Sequence, residues 1–286
     1  MLKLKYFFGM RKKVVLITGT SSGIGRELVL EFARNKYKVW ATSRNVTKFS
    51  KLRKTIKSQK FAVDILKLDL NNKSSIDRAV KKIIKKDKRI DILINNAGYG
   101  MVGTVEETPI FALRGLFETN FFGPFYLTQT ILPYMRKKRS GVIVNIGSIA
   151  GRYGFSGMSG YGATKWALEA FSESLYLEVK KFGIKVILFE LGQVKTNFFK
   201  NRVEIWKDLK TTAYKFVYLK HKKRNGLFNL SISSKSAAKQ IFECVDDEDP
   251  PLRQTLGFDA YLMVKARNLL PERLFLWMIR PKTGNY

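Results

Sequence analysis

The chain has 286 residues, 45% of them hydrophobic, enough for a sizeable buried core. A single cysteine, Cys244, excludes an intramolecular disulfide framework, and with a single histidine, His221, a thiolate or imidazole metal cage is excluded as well. Lys and Arg number 53 against 23 Asp and Glu, a net charge of +30 that attracts anions: nucleic acid, acidic lipid headgroups or a phosphorylated cofactor.

The cations are spread along the chain in pairs such as Lys81-Lys82 and Lys137-Lys138, the pattern of a solvated surface. No zinc-ligand spacing, RNA-binding aromatic motif or localised basic helix accompanies them, so no specific nucleic-acid partner is expected. The opening MLKLKYFFGMRKK has too short an apolar run for a signal peptide, and Met10 is an alternative start. No stretch reaches the roughly 18 apolar residues of a membrane-spanning helix. The expectation is a cytoplasmic protein, at most peripheral on a membrane surface.

From Val14 the chain alternates short β-branched runs with longer amphipathic segments, which predicts an α/β fold with a parallel sheet. Strands are expected at 14–17, 39–42, 65–68, 92–94, 142–146 and 186–189. A helix is expected from the glycine turn after the first strand to about Asn35. Ile76, Ala79, Val80, Ile83 and Ile84 repeat at helical spacing, and long helical patterns fill about 106–138 and 160–182. No linker or repeat divides the chain, so one domain over 1–286 is expected.

Residues 193–231 break the alternation and are aromatic and basic (Phe198, Phe199, Trp206, Tyr214, Phe216, Tyr218, Phe228). The segment reads as a lid over a site, or as surface helices packed on the core. The stretch 258–286 is an apolar, basic extension. It suits a membrane interface, a dimer contact or a cover for a substrate cleft.

Thr18-Gly19-Thr20-Ser21-Ser22-Gly23-Ile24-Gly25 lies between the first strand and the first helix. Glycines there let the backbone turn and approach a phosphate, and the helix behind them offers free N–H groups to a pyrophosphate. A dinucleotide is the expected ligand, with Ser21, Ser22 and Ile24 beside it. The second strand ends Thr42-Ser43-Arg44 without the carboxylate that grips the ribose hydroxyls in NAD binders. Ser43 can hydrogen-bond, and Arg44 offers a fork suited to a 2′-phosphate. NADP(H) is therefore preferred, with NAD(H) left open; the alternative is an Arg44 turned to solvent.

Tyr161 and Lys165 lie four apart in a helical segment and share a face. Ser148 closes the fifth strand. A phenol near pKa ~10 is a poor base, and the ammonium is expected to favour its phenolate. Tyr161 can then exchange a proton with an alcohol or carbonyl oxygen that Ser148 holds.

These residues, in this order, resemble the short-chain dehydrogenase/reductase family, NADP-preferring, with a Tyr-x-x-x-Lys active site. The likeness runs from about residue 13 to 260. It implies a single Rossmann-type doubly wound parallel sheet of about seven strands with helices on both faces. The family's glycine motif falls on Gly19, Gly23 and Gly25. Its Asn-Asn-Ala-Gly motif falls on Asn95, Asn96, Ala97 and Gly98, which support the sheet and the adenosine end of the cofactor. Asp69, followed by Leu70, is placed at the adenine. The catalytic tetrad falls on Asn120, Ser148, Tyr161 and Lys165; Asn120 would position a relay water, and Lys165 would also hold the nicotinamide ribose. Gly192, Val194 and Thr196 match positions at the carboxamide, whereas Leu191 replaces the family's usual proline.

By this resemblance the chain is an NADP(H)-dependent oxidoreductase interconverting a carbonyl and a primary or secondary alcohol, with no metal. A non-catalytic dinucleotide sensor or scaffold is the alternative. Tyr153, Phe155 and Met158 match pocket-lining positions. With the aromatic segment after Thr196 they point to a lipophilic substrate, steroid-, retinoid- or fatty-acyl-like. A homodimer or homotetramer through the long helices is the expectation for assembly.

Overall fold

The computed structural model describes residues 12–205, 209–222 and 231–280. Residues 1–11 and 281–286, Trp206 and Phe228 lie outside the described residues, so the expectations placed on them are not taken further.

In chain order the framework is β1 (Val14–Ile17), α1 (Gly23–Arg34), β2 (Lys38–Ser43), α2 (Ser50–Ser58), β3 (Val63–Lys67), α3 (Lys73–Asp87) and β4 (Ile92–Asn95). Then come α4 (Ile110–Phe117), a π-helical turn (Glu118–Phe122), α5 (Gly123–Lys138), β5 (Gly141–Ile146), α6 (Ser159–Val179) and β6 (Ile184–Leu191). The chain continues through α7 (Lys215–Lys222), α8 (Ser234–Asp246), β7 (Arg253–Leu256), α9 (Phe258–Leu269) and α10 (Glu272–Ile279).

The seven strands form one sheet in the order β7-β6-β5-β4-β1-β2-β3, and every pair in it is parallel. Strands covered on both faces read as continuous apolar runs, and β1 and β4 are buried at every residue. One face packs α1 and α8 through Leu28, Phe32, Ile241 and Phe242; the other packs α3, α5 and α6 through Ile83, Ile131, Met135 and Leu175. The strand order reverses direction at β1, which pairs with β2 on one side and β4 on the other. A crevice at the carboxyl ends of the strands opens at such a switch point.

The doubly wound sheet is as expected, and the differences are local. The third strand lies two residues earlier than 65–68 at its start; its residues are half-buried or exposed at the sheet edge, so their pattern carries little register information. The seventh strand, Arg-Gln-Thr-Leu, has no apolar run. Its Arg253 and Thr255 face carboxylates of α6 and β6 instead. Leu191 ends β6 as a buried core residue.

The described part of 193–231 is tied to the body by two short parallel strand pairs. Val194–Lys195 pairs in parallel with Ile232–Ser233, and Val203–Glu204 pairs with Met101–Val102. Between them α7 buries Val217 and Tyr218 against Met101, Met158 and Tyr161. The extension divides at Leu270-Pro271, because a residue before proline is driven out of the helical region. Phe275 of α10 is fully buried, with its ring edge-on to Tyr153 at 5.1 Å.

Candidate active site

A cleft of about 640 Å³ opens at the carboxyl ends of β1, β2, β4, β5 and β6. One end is the glycine turn. Gly19 has φ +69°, and a Cβ on it would meet Ala97 Cα at 2.7 Å. A Cβ on Gly25 would meet the Gly19 carbonyl oxygen at 2.4 Å and Asn96 Nδ2 at 2.5 Å. No side chain caps the start of α1 at Ser22, so its first N–H groups face the cleft that Ser21, Ser22, Gly23 and Ile24 line.

The turn is held from behind by Thr18 and Asn96. Thr18 Oγ1 accepts from the Asn96 and Ala97 N–H groups at 3.0 Å each, and Asn96 Nδ2 donates to the Thr18 carbonyl at 2.8 Å. Asn95 is buried away from the cleft. It donates to Asn145 Oδ1 at 2.9 Å, and Asn145 donates to Ser172 of α6 at 2.8 Å, a polar tie from β4 to the helix carrying Tyr161.

Ser43 and Arg44 at the end of β2, with Asp69 and Leu70 after β3, line the same end of the cleft. Arg44 is exposed and has no ion pair among the described residues. One Asp69 oxygen accepts the Asn71 N–H at 3.1 Å. The glycine cradle, the uncapped helix and a lone guanidinium beyond them fit a dinucleotide carrying an extra phosphate.

At the other end stand Ser148, Tyr161 and Lys165. Ser148 lies two residues past β5, extended, and its Oγ accepts the Ala150 N–H at 3.2 Å. Tyr161 is 5% exposed, with the ring of Phe198 5.8 Å away. Lys165 Nζ lies 5.8 Å from the Tyr161 ring centroid and donates to the Ile146 carbonyl at 2.7 Å.

Burial dominates both groups. It pushes the Tyr161 phenol up to about 12, against the Ser148 hydroxyl, which pulls the other way. Burial brings the Lys165 ammonium down to about 8, opposed by the Glu169 carboxylate. The expected acidification of the phenol is therefore not produced by the protein's own side chains. The ammonium faces the ring and is bonded to a carbonyl rather than to the hydroxyl. A phenol raised in this way keeps its proton at neutral pH.

Asn120 does not line the cleft. It is buried in the π-helical turn, where Nδ2 donates to the Tyr99 carbonyl at 3.0 Å and Thr164 Oγ1 at 3.2 Å, and Oδ1 accepts the Tyr99 N–H at 3.1 Å. Its side chain is thus committed. Four residues on, Pro124 has no N–H to return to the Asn120 carbonyl.

Gly192, Val194 and Thr196 line the cleft beyond Leu191. Phe155 and Met158 line it as expected, but Tyr153 faces the ring of Phe275 instead. The sequence reading missed Tyr99, which lines the cleft beside the expected Phe198, and Asp259 of α9, which accepts the Gln193 N–H at 2.8 Å and holds the turn after β6 from the extension. Only Tyr99, directly after Asn95–Gly98, carried a positional signal.

Comparison with known proteins agrees with this geometry. A family model described as short chain dehydrogenase matches residues 13–205. The 3-ketodihydrosphingosine reductase of Bacteroides thetaiotaomicron is 33% identical over 279 residues, 95% of this chain and 98% of that protein. Retinol dehydrogenase 8 of Bos taurus is 34% identical over 255 residues, 85% of this chain and 80% of that protein. The solved structure of ElxO with NADP bound matches with a TM-score of 0.72 and 28% identity, over 86% of this chain and 97% of that one.

Proposed function

The chain belongs to the short-chain dehydrogenase family, and from that premise we propose that it is an NADP(H)-dependent reductase of a lipophilic carbonyl compound. The observation that carries the reading is the placement of the buried Tyr161 and Ser148 in one cleft with the glycine cradle. When bound, the dinucleotide supplies the hydride. Gly19, Gly23 and Gly25 would admit its pyrophosphate, Asp69 and Leu70 would lie at its adenine end, and Asn96, Ala97 and Gly98 would wall it. Arg44, with Ser43, would hold the 2′-phosphate; NAD(H) would forgo that contact. The NADP bound to ElxO supports this choice.

In reduction, Ser148 Oγ holds the substrate oxygen and Tyr161 Oη gives it a proton. Lys165 Nζ, steadied by the Ile146 carbonyl, would hold the ribose and return a proton towards Tyr161. A water on the Asn120 carbonyl would connect that ammonium to solvent. Gly192, Val194 and Thr196 would position the carboxamide. Leu191 leaves this turn without proline's fixed φ, and Asp259 restrains it instead.

Phe155, Met158, Phe198 and Phe199 give the substrate end an apolar wall, and residues 193–203 act as a lid over it. The names of the sphingoid and retinol relatives point the same way. A panel of ketones and aldehydes of rising chain length, assayed by NADPH consumption, tests the reading. Turnover should rise with apolar length; activity confined to small hydrophilic carbonyls would refute it.

A peripheral membrane contact is a second reading, favoured by α9 and α10. Leu269, Leu274, Leu276, Trp277 and Met278 are exposed there beside Arg273 and Arg280. Among the described residues no helix is long and apolar enough to cross a membrane. Trp277→Glu, which spares the buried Phe275, should weaken sedimentation with anionic liposomes; unchanged sedimentation would end this reading.

A further inference from the structure

The mechanism leaves a buried acid of the helix that carries Tyr161 and Lys165 without a role. Glu169 lies one helical turn beyond Lys165 on α6, so Tyr161, Lys165 and Glu169 rise in succession along one face, and all three are buried. Glu169 is 6% exposed. One of its oxygens accepts from Arg253 Nε of β7 at 3.1 Å, and the other has no hydrogen-bond partner among the described residues. A buried carboxylate oxygen left in this way is costly unless a nearby charge or a proton compensates it.

Lys165 is the cation on the same face, and its only hydrogen bond among the described residues goes to a neutral carbonyl. We propose that Glu169 is a positioning residue for the catalytic site: its carboxylate, anchored on Arg253, keeps the buried Lys165 amine in its charged form. The inference rests on the proposed role of Lys165.

The surroundings of Glu169 give the pairing its pH range. Burial and the Glu190 carboxylate of β6 push Glu169 up, against Arg253, to about 7. Arg152 approaches Glu190 at 3.6 Å, Thr255 Oγ1 donates to Glu190 at 3.0 Å, and Glu173, on α6, accepts from the second arm of Arg253. Glu169 is therefore neutral in acid, where Lys165 holds its proton unaided. It becomes anionic between the two values, where Lys165 begins to lose that proton. The anion appears where the ammonium needs it.

The sign of the effect follows. The Lys165 ammonium is lost as pH rises through about 8, and activity should fall on that alkaline limb. With Glu169→Gln the opposing charge is gone, so the limb should move to lower pH by about one unit. Turnover at pH ~6, where the amine is protonated in either protein, should change by less than about threefold. A folded Glu169→Gln protein with its alkaline limb unmoved would overturn the proposal.

A second measurement needs no change at Glu169. In protein carrying ¹³C at lysine Cε, the resonance that disappears in Lys165→Met is followed against pH in the absence of substrate. It should show its own titration near 8 and a smaller inflection near 7 as Glu169 ionises. A single titration without the lower inflection would overturn the pairing. If Lys165→Met reduces ketones as well as the wild type, the proposed function fails instead, whatever the resonance shows.

Discussion

Replacing Arg44 with alanine separates binding of the dinucleotide from binding of its extra phosphate. Arg44 follows Ser43 at the end of β2, exposed, lining the cleft and without an ion pair among the described residues. The Thr42 carbonyl accepts the Thr20 N–H at 3.0 Å, which fixes the strand end against the glycine turn, so the substitution should not disturb the cradle. A hydrogen bond to a charged group contributes about 1.5–3 kcal/mol. Exposure to solvent places this one at the lower end, about 1.5 kcal/mol, or roughly tenfold in affinity. Dissociation constants from nicotinamide fluorescence should show NADPH weakened about tenfold and NADH changed less than about twofold. The NADPH loss should shrink at high salt, because an exposed charge pair is screened. Equal weakening of both cofactors, or tighter wild-type binding of NADH than of NADPH, would refute the reasoning.

Gly25→Ala should abolish NADPH binding while the chain remains folded, since the new Cβ would lie 2.4 Å from the Gly19 carbonyl and force the turn open; fluorescence titration with a far-ultraviolet spectrum checks both. Asp91, 5% exposed, accepts the Val14 N–H at 2.8 Å and pairs with Arg89 and Lys138. Asp91→Asn should cost about 3 kcal/mol in urea unfolding, because it strips a buried pair of one partner. Burial pushes the Asp91 carboxyl up, but Arg89, Lys138 and the Val14 N–H outweigh it and hold it below its ordinary value. Its contribution is therefore present at neutral pH and lost as pH falls through the folded-state value. Wild-type and Asp91→Asn melting temperatures should converge in acid.

The sheet was legible because β1, β2, β4, β5 and β6 bury both faces and so announce themselves as apolar runs. β7 did not, since its polar side chains pair with Glu169, Glu173 and Glu190, partners far away in the chain. The glycine turn, Ser148, Tyr161 and Lys165 were legible through spacing and the elements around them. The electrostatics were not. Whether an ammonium acidifies a phenol depends on burial and on which atom the ammonium bonds, and the Ile146 carbonyl has no sequence signature. Asn120 shows the same limit. Its tetrad assignment came from the resemblance alone, and the commitment of its side chain to Tyr99 and Thr164 arises only when α4, α5 and α6 pack together.

Single-turnover reduction by Tyr161→Phe, with NADPH already bound, bears most directly on the site. The variant should bind NADPH within about twofold of the wild type and reduce the best ketone of the panel on the order of 10³-fold more slowly, the contribution of a placed general acid. Reduction within about tenfold of the wild type would mean that the proton comes from another group, and the assignment of this phenol would be wrong.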